Sequence, residues 1–252
     1  MLVQHTTKED GQRIQPKNRS NFLQFNFEGF PERELEINAS DSIQKFCYYL
    51  QNNLRIVRKF SKNNIVATYF NHDTLGQLSK EVRCREYPID FDTQPMQPEF
   101  FKLGRQEVIW KESYSYEVIS ANQIRKKIAN DAGIVYKEGI CYTNSQKQLT
   151  EENNRFTATG VSEIYKYRYN ADGKLIEKIF FSDVTGLFEE KTIFTYDGKG
   201  NVIQTQFYRN GKLLHESIYF YDKNGELPEA ILTKYPDRST IDMQQFIFEF
   251  NN

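Results

Sequence analysis

The three histidines come first, because an imidazole side chain can transfer protons near neutral pH. His5 lies in a polar N-terminal stretch, His72 in a predicted turn and His215 in a predicted strand. Glu216 follows His215 directly, but adjacent residues of a strand point to opposite faces of the sheet, so these two side chains cannot form a catalytic dyad. We therefore do not expect His215 to act as a catalytic base.

Other reactive patterns are sparse. The cysteines are widely spaced, form no zinc-binding pattern and have no histidine close in sequence, which favours buried free thiols in a reducing compartment. They are Cys47, Cys84 and Cys141. Acidic pairs such as Glu151-Glu152 and Glu189-Glu190 are typical of solvated charges. The sequence contains no phosphate-binding loop, HExxH, GxSxG or calcium-loop pattern. It therefore predicts a protein without enzymatic activity, cofactor or metal.

Composition argues against further classes of function. The 252 residues include 33 basic and 34 acidic side chains, for a formal net charge of -1. Nucleic-acid binding needs a concentrated basic surface, so we expect no nucleic-acid partner. No run approaches the length of apolar residues that spans a bilayer, so we expect no membrane span. The N-terminus lacks the apolar core of a signal peptide, which predicts a cytoplasmic location; a secreted or periplasmic protein already cleaved would look the same.

One helix is predicted, over residues 39–54. Apolar residues recur there at spacings of three and four, and Ser40 or Asp41 could cap the first free backbone N–H groups. The apolar positions are Ile43, Phe46, Cys47, Leu50 and Leu54. Alternating runs elsewhere indicate strands, with a hairpin turn at residues 61–64.

A loop rich in proline and aspartate, residues 88–98, is the best internal boundary. The pattern predicts a loose N-terminal arm over residues 1–20, a strand-helix-hairpin region over 21–90 and a β-meander over 91–252. A single continuous domain over residues 21–252 is the alternative.

The last hundred residues repeat one turn. YNADGKL (residues 169–175), YDGKGNV (196–202) and YDKNGEL (221–227) share a tyrosine, Asp or Asn, two variable residues, glycine, a polar residue and an aliphatic residue, and YRNGKL (208–213) is one residue shorter. Glycine takes the positive φ of a tight turn, and Asp or Asn bonds the backbone within it. The turn glycines are Gly173, Gly186, Gly200, Gly211 and Gly225. Their spacing predicts a mainly β fold, an antiparallel up-and-down meander forming a curved sheet or partial barrel.

These turns carry a resemblance. The Tyr-Asp-x-x-Gly-x-aliphatic signature resembles the YD repeat of RHS-type bacterial proteins, and YRNGKL resembles repeats of MORN-like bacterial antitoxin proteins. The resemblance covers about Tyr165 to Leu232, with a weaker echo in YFNHDTLGQL at residues 69–78. It implies β-hairpin arrays that act as shells, scaffolds or partner-binding sheets without catalytic residues of their own. RHS shells use many more repeats than this chain holds.

Strand alternation also predicts a binding surface. Tyrosine buries a large area at little cost in rotamer entropy, so tyrosines that share a strand face are candidate contact residues. The candidate binding residues are Tyr165, Tyr167, Tyr169, His215, Tyr219 and Tyr221. Both faces of several strands are partly apolar, which favours a curved sheet or a covered second face.

Together these features predict a non-enzymatic protein-binding or scaffold module with a protein partner, one version being a bacterial immunity or antitoxin protein. The alternative is a lipocalin-like barrel that holds a small apolar or aromatic ligand in an enclosed cavity. The sequence leaves the oligomeric state open.

Overall fold

The computed structural model describes residues 1–9, 15–26, 30–38, 42–50, 52–61, 64–89, 101–184 and 188–248, which form eighteen β-strands and no helix. The first nine strands are β1 (Leu2–Glu9), β2 (Gln15–Phe25), β3 (Pro31–Asn38), β4 (Ser42–Leu50), β5 (Asn53–Ser61), β6 (Asn64–His72), β7 (Leu78–Pro88), β8 (Leu103–Ser120) and β9 (Gln123–Ala129). The last nine are β10 (Val135–Thr143), β11 (Leu149–Phe156), β12 (Ser162–Tyr169), β13 (Leu175–Ser182), β14 (Phe188–Tyr196), β15 (Val202–Arg209), β16 (Lys212–Tyr221), β17 (Pro228–Lys234) and β18 (Thr240–Ile247).

The strands form one antiparallel sheet in chain order. Each strand pairs with the next, and β1 also pairs with β18, from Leu2 opposite Ile247 to Glu9 opposite Thr240. Among the described residues the sheet therefore has no unpaired edge strand. The predicted antiparallel up-and-down meander is confirmed.

The predicted helix over residues 39–54 is wrong. This part of the chain contributes β4 and β5, a hairpin in which Leu50 pairs with Asn53 and Asn52 takes a positive φ of 62°. The helical spacing arose because both faces of β4 carry apolar residues: the Phe46 ring meets Phe60 on one face, at 5.6 Å between centroids, while Cys47 is buried on the other. Apolar residues at consecutive positions then imitate a helical stripe. Ser40 and Asp41 lie outside the described residues.

The sheet also runs through the predicted divisions of the chain. Residues 1–20, expected as a loose arm, contain β1 and the first part of β2. Strands β7 and β8 pair on either side of the proline-rich connection, from Lys80 opposite Ser113 to Pro88 opposite Leu103. Residues 90–100 of that connection lie outside the described residues.

The fold is a single layer with a small core. Its accessible surface is 16403 Å², against about 11,700 Å² for a compact protein of this mass. The buried hydrophobic residues are Cys47, Phe60, Ile65, Ala67, Cys84 and Ile128. Both faces of the sheet therefore keep accessible side chains. No helix in the described ranges has the length and apolar character needed to cross a membrane.

One polar cluster holds β5 to β8 together. Glu86, 2% exposed, accepts hydrogen bonds from Arg58 Nε at 2.5 Å, from the Tyr69 hydroxyl and from Gln106 Nε2 at 3.1 Å. Burial alone would raise the pKa of Glu86, but the bonds from Arg58 and Tyr69 lower it below its usual value. Burial and the Glu86 carboxylate raise the pKa of Tyr69 to about 12. Each charge has its partner, so this cluster is structural.

Candidate functional site

The repeated turn sets the geometry on which the site is built. In the copy at residues 196–202, Asp197 Oδ1 accepts hydrogen bonds from the backbone N–H groups of Lys199 at 2.9 Å and Asn201 at 2.8 Å. Asn170 makes the same pattern in its own turn, whereas Asp222 accepts from the backbone N–H groups of Glu226 and Leu227. The glycines at these and the neighbouring hairpin turns have positive φ: Gly173, Gly200, Gly211 and Gly225. Gly186 lies outside the described residues.

Sequence reasoning missed two copies of this turn. Asn130 accepts from the backbone of Ala132 and Ile134, and Asn144 accepts from Gln146 and Gln148. Neither copy has a tyrosine before the asparagine, and the second has Lys147 at φ 62° where the others have glycine. The weak echo near residue 73 is a further copy, centred on Asp73. A search for an asparagine or aspartate between two strand-like runs would have identified all three of these turns.

The tyrosine of each repeat ties its turn to the preceding one. The hydroxyls of Tyr169, Tyr196 and Tyr221 donate to the backbone oxygens of Leu149 at 2.8 Å, Leu175 at 2.7 Å and Val202 at 3.0 Å. Tyr169 and Tyr221, which we predicted as binding residues, therefore have their polar ends engaged within the fold.

Paired residues of neighbouring antiparallel strands share a face of the sheet, so the register sorts the side chains. We call the face that carries Tyr165, Tyr167 and Tyr169 the tyrosine face. From Tyr165 it continues to Phe180, and in the next row from Tyr167 through Lys178, Thr192 and Phe207 to His215. Tyr219 and Tyr221 belong to the same face. All six predicted binding residues therefore lie on one face.

An aromatic band crosses the tyrosine face from β12 to the end of β17. It consists of Tyr165, Phe180, Phe188, Phe207, His215 and Tyr235. The Tyr165 and Phe180 rings lie 4.8 Å apart, and His215 stacks on Phe207 at 5.0 Å between centroids and 23° between planes. The guanidinium of Arg209 lies over both Phe188 and Phe207, at 5.4 and 6.0 Å, and so joins the two halves.

A groove of about 270 Å³ opens within this band. Its lining residues are Tyr165, Lys178, Phe180, Glu190, Thr192 and Phe207. Thr192 is the short side chain at its centre, between Lys178 on β13 and Phe207 on β15. The groove therefore exists because a small residue is surrounded by long ones.

The charges around the groove are unequal. Glu190 accepts hydrogen bonds from Arg209 at 2.7 and 3.2 Å, which neutralises its carboxylate. Lys178 makes no ion pair among the described residues, and its Nζ lies 5.8 Å from the centre of the Tyr165 ring. Burial lowers the pKa of His215 below its usual value, so the imidazole is neutral at pH 7. Lys178 is therefore the one charged lining residue without an ion pair among the described residues.

The predicted residues thus divide into three groups. Tyr165 and His215 belong to the aromatic band, Tyr167 and Tyr219 lie beside it, and Tyr169 and Tyr221 bond the turns. The Tyr219 hydroxyl lies 3.4 Å from the Thr205 hydroxyl. Sequence reasoning missed the phenylalanines and Tyr235, because only cross-strand register shows that they meet.

A second polar cluster on the tyrosine face has two acids close together. The Tyr114 hydroxyl lies 2.7 Å from Glu112 Oε2 and 3.3 Å from Glu81 Oε2, and Tyr136 donates to the other oxygen of Glu112. Burial, reinforced by the Glu112 carboxylate, raises the pKa of Glu81. These two carboxyl groups can therefore retain a proton. Both accept hydrogen bonds from tyrosine hydroxyls, however, so the cluster serves the fold. No group of three or more metal-ligating side chains occurs in the part of the chain that the structure describes.

Comparisons with known proteins give only distant likenesses. No protein-family model matches the chain, and no curated protein matches it. The chain is similar at 10% identity to a crystal structure of TcdB2-TccC3-TEV, with a TM-score of 0.30 over 91% of this chain and 16% of that one. It therefore spans only a small part of that protein's length.

Two porin-like proteins are similar over almost the whole of both chains. The one from Bacteroides vulgatus ATCC 8482 has a TM-score of 0.38 and covers 98% of this chain and 97% of its own, at 10% identity. The one from Bacteroides uniformis ATCC 8492 has a TM-score of 0.39 with 98% and 95% covered, also at 10% identity. At these TM-scores the likenesses carry no argument about function.

Proposed function

We propose that the chain is a non-enzymatic protein-binding module whose aromatic band receives an extended segment of a protein partner. The observation that carries this proposal is the band itself, six rings across six strands that form two groups of three joined by the Arg209 guanidinium. Neighbouring strands lie about 4.8 Å apart, so the band is about 24 Å long. At about 3.4 Å per residue, an extended segment of about seven residues would cover it.

Physical chemistry favours an aromatic surface for this role. Aromatic side chains bury a large area when a partner docks, and a few of them usually supply most of the binding free energy. The Arg209–Glu190 pair at 2.7 Å holds the middle of the band in place before binding, which lowers the entropic cost of docking. A bacterial immunity or antitoxin role remains a prediction within this proposal.

The alternative, a lipocalin-like carrier, predicts an enclosed apolar cavity. Three grooves that the described residues form are lined by charged as well as apolar side chains, such as Arg33, Lys178 and Arg238. Such linings favour a polypeptide, with its backbone and mixed side chains, over a small apolar molecule.

Reconstitution with a purified partner tests the proposal. The partner is recovered from the source cells with the tagged chain, identified and purified, and its Kd for the chain is measured by titration calorimetry. We expect Phe207→Ser to weaken the Kd by about 30-fold, the effect of losing an aromatic anchor.

The matched control is Phe220→Ser, because Phe220 lies on the other face of neighbouring β16 and is 43% exposed. It should change the Kd by less than about threefold. Failure to recover any stoichiometric partner, or equal effects of the two substitutions, would contradict the proposal. Thermal unfolding of both variants verifies that they remain folded.

A further inference from the structure

The groove in the aromatic band has the size of a ring binding site. Its volume is about 270 Å³, whereas a cavity of about 150 Å³ already suffices to bind benzene. The Tyr165 and Phe180 rings and the Phe207 ring stand on either side of the short Thr192 side chain. An inserted aromatic ring would meet ring faces and edges at both walls, the arrangement that aromatic pairs prefer.

The charged side chains of the groove determine which chemical group can bind beside that ring. The Glu190 carboxylate forms an ion pair with Arg209, so the acidic side chain of the groove is already neutralised. Lys178 is exposed and makes no ion pair in the described ranges, so its ammonium group is available to a ligand. A carboxylate carried beside the ring would complement it, whereas a cation there would be repelled by Lys178.

We infer that the groove binds an aromatic side chain of the partner segment together with an acidic residue two positions away, because residues i and i+2 of an extended chain share a face. This inference rests on the proposed function and adds the sequence that the partner presents. It commits to one occupant, an extended polypeptide with an acidic residue two positions from a phenylalanine, tyrosine or tryptophan. Lys178 is the specificity residue, and Thr192 provides the space.

Blocked tripeptides test this preference on the full chain. The probes are acetyl-Glu-Gly-Phe-amide, acetyl-Lys-Gly-Phe-amide and acetyl-Glu-Gly-Ala-amide, named Glu-Phe, Lys-Phe and Glu-Ala after their first and third residues. They are titrated while the NMR shifts of the Thr192 and Phe207 amides are followed. We expect the Glu-Phe probe to bind about three to five times more tightly than the Lys-Phe probe, the gain of one exposed ion pair. The Glu-Ala probe should leave both amides unshifted.

Substitutions in and outside the groove test whether the groove causes the preference for the Glu-Phe probe. Lys178→Gln should abolish the preference for Glu-Phe over Lys-Phe while retaining the ring binding. The control is Lys191→Gln, because Lys191 lies on β14 on the opposite face and likewise sits over a tyrosine ring, that of Tyr208 at 5.1 Å. Thr192→Phe fills the groove and should abolish the shifts at Phe207, with the remaining spectrum showing that the fold is intact.

Several outcomes would overturn the inference. They are equal binding of Glu-Phe and Lys-Phe, equal shifts from Glu-Ala, a preference that survives Lys178→Gln, and no shift at Thr192 or Phe207 from any probe. A methyl glucoside that shifts these amides where the peptides do not would assign the groove to a sugar. Each leaves the proposed function standing, because that proposal fails only when the partner is absent or when Phe207→Ser and Phe220→Ser affect the complex equally.

Discussion

Individual tyrosines of this protein serve two purposes. Tyr169, Tyr196 and Tyr221 bond the backbone of the preceding turn, whereas Tyr165 stacks on Phe180 and lines the groove. The first group contributes to folding and the second faces a ligand. Substitutions that remove only the hydroxyl can separate the two.

Tyr196→Phe should destabilise the protein by about 1 kcal/mol, because the backbone oxygen of Leu175 loses its 2.7 Å donor. The expected shift in Tm is about 2–4 °C downward for a chain of this size. The control is Tyr167→Phe, since the Tyr167 hydroxyl has no hydrogen bond among the described residues. Urea unfolding of both variants measures the difference. Equal losses would show that the turn bond contributes nothing.

Asp197 should make stability depend on pH. The backbone N–H of Asn201 and the neighbouring donors lower the pKa of Asp197 below its usual value. Its carboxylate therefore stabilises the fold above the pKa of the unfolded state, and that contribution is lost as the pH falls through the lower folded pKa. Asp197→Asn keeps the geometry that Asn170 already uses, so the variant should lose less stability on acidification.

Measurement of Tm between about pH 7 and about pH 2 tests this prediction. The control is Asp172→Asn in the adjacent turn, where the carboxylate accepts only a long side-chain bond from Asn170, at 3.5 Å. Its acid profile should follow that of the unsubstituted protein. If the Asp197→Asn profile does so too, the turn carboxylate has no part in acid sensitivity.

Much of the candidate site could not be predicted from residue patterns. Alternation along one strand placed Tyr165, Tyr167 and Tyr169 together, and they do share a face. The contact between Phe207 and His215 depends on how β15 and β16 align, and a bulge shifts that register between Phe207 and Tyr208. Sequence alone carries no signal for such a shift, so the band was missed as a unit.

Among the secondary-structure elements, the turns do more than reverse the chain. Gln148 Nε2 donates to the backbone oxygen of Gly173 at 2.8 Å, and Asn201 Nδ2 does the same to Gly225 at 2.8 Å. These turns lie at the same end of the sheet, after alternate strands. Each glycine therefore meets two requirements, a positive φ and room for the side chain of the preceding turn.

Gly173→Ala and Gly76→Ala separate these requirements, because both glycines have a φ of +78°. Each substitution should cost about 1–2 kcal/mol for the left-handed backbone. Gly173→Ala should cost more, because its new Cβ would lie 3.0 Å from Gln148 Nε2, whereas nothing lies within 4 Å at Gly76. Urea unfolding measures both free energies. A Gln148→Ala background should remove the excess, and equal costs without it would refute the second requirement.

Strands with local turn signals were the predictable part of the fold. Strands β12 to β17 are separated by turns whose Asp, Asn and Gly residues specify a reversal, so the meander followed from them. The hairpin of β4 and β5 has no such glycine, and the apolar residues on both faces of β4 imitated a helix. The pairing of β1 with β18 joins opposite ends of the chain and leaves no local pattern at all.

At the scale of the whole molecule, the β1–β18 pairing decides the shape. It gives every described strand two partners, so no row of backbone donors is left open for another chain. The accessible surface of 16403 Å² is large, and the strands that the structure describes form a single sheet. Stability must therefore come from cross-strand contacts distributed around the sheet, with little from a central core.

A double substitution tests the closure. Gln4 and Gln245 are paired and exposed, so Gln4→Cys with Gln245→Cys should form a disulfide under oxidising conditions. Paired strand residues have Cα atoms about 4.5–5.5 Å apart, within the range that a disulfide needs. Gln4→Cys with Gln204→Cys is the control, with about four strand spacings, or about 19 Å, between the cysteines. Mass spectrometry of peptides detects the disulfide in each variant. If neither variant forms it, the sheet is open between β1 and β18.

The contact from one turn to the next also constrains how such a chain can change in length. A single added strand would send the following turn to the far end of the sheet, where the tyrosine of the next repeat could no longer reach it, and an odd number of antiparallel strands cannot close. A change in chain length that keeps the sheet closed must therefore insert or delete whole hairpins. Relatives of this protein should therefore differ in size by discrete increments of two strands, with the circumference widening or narrowing at each step.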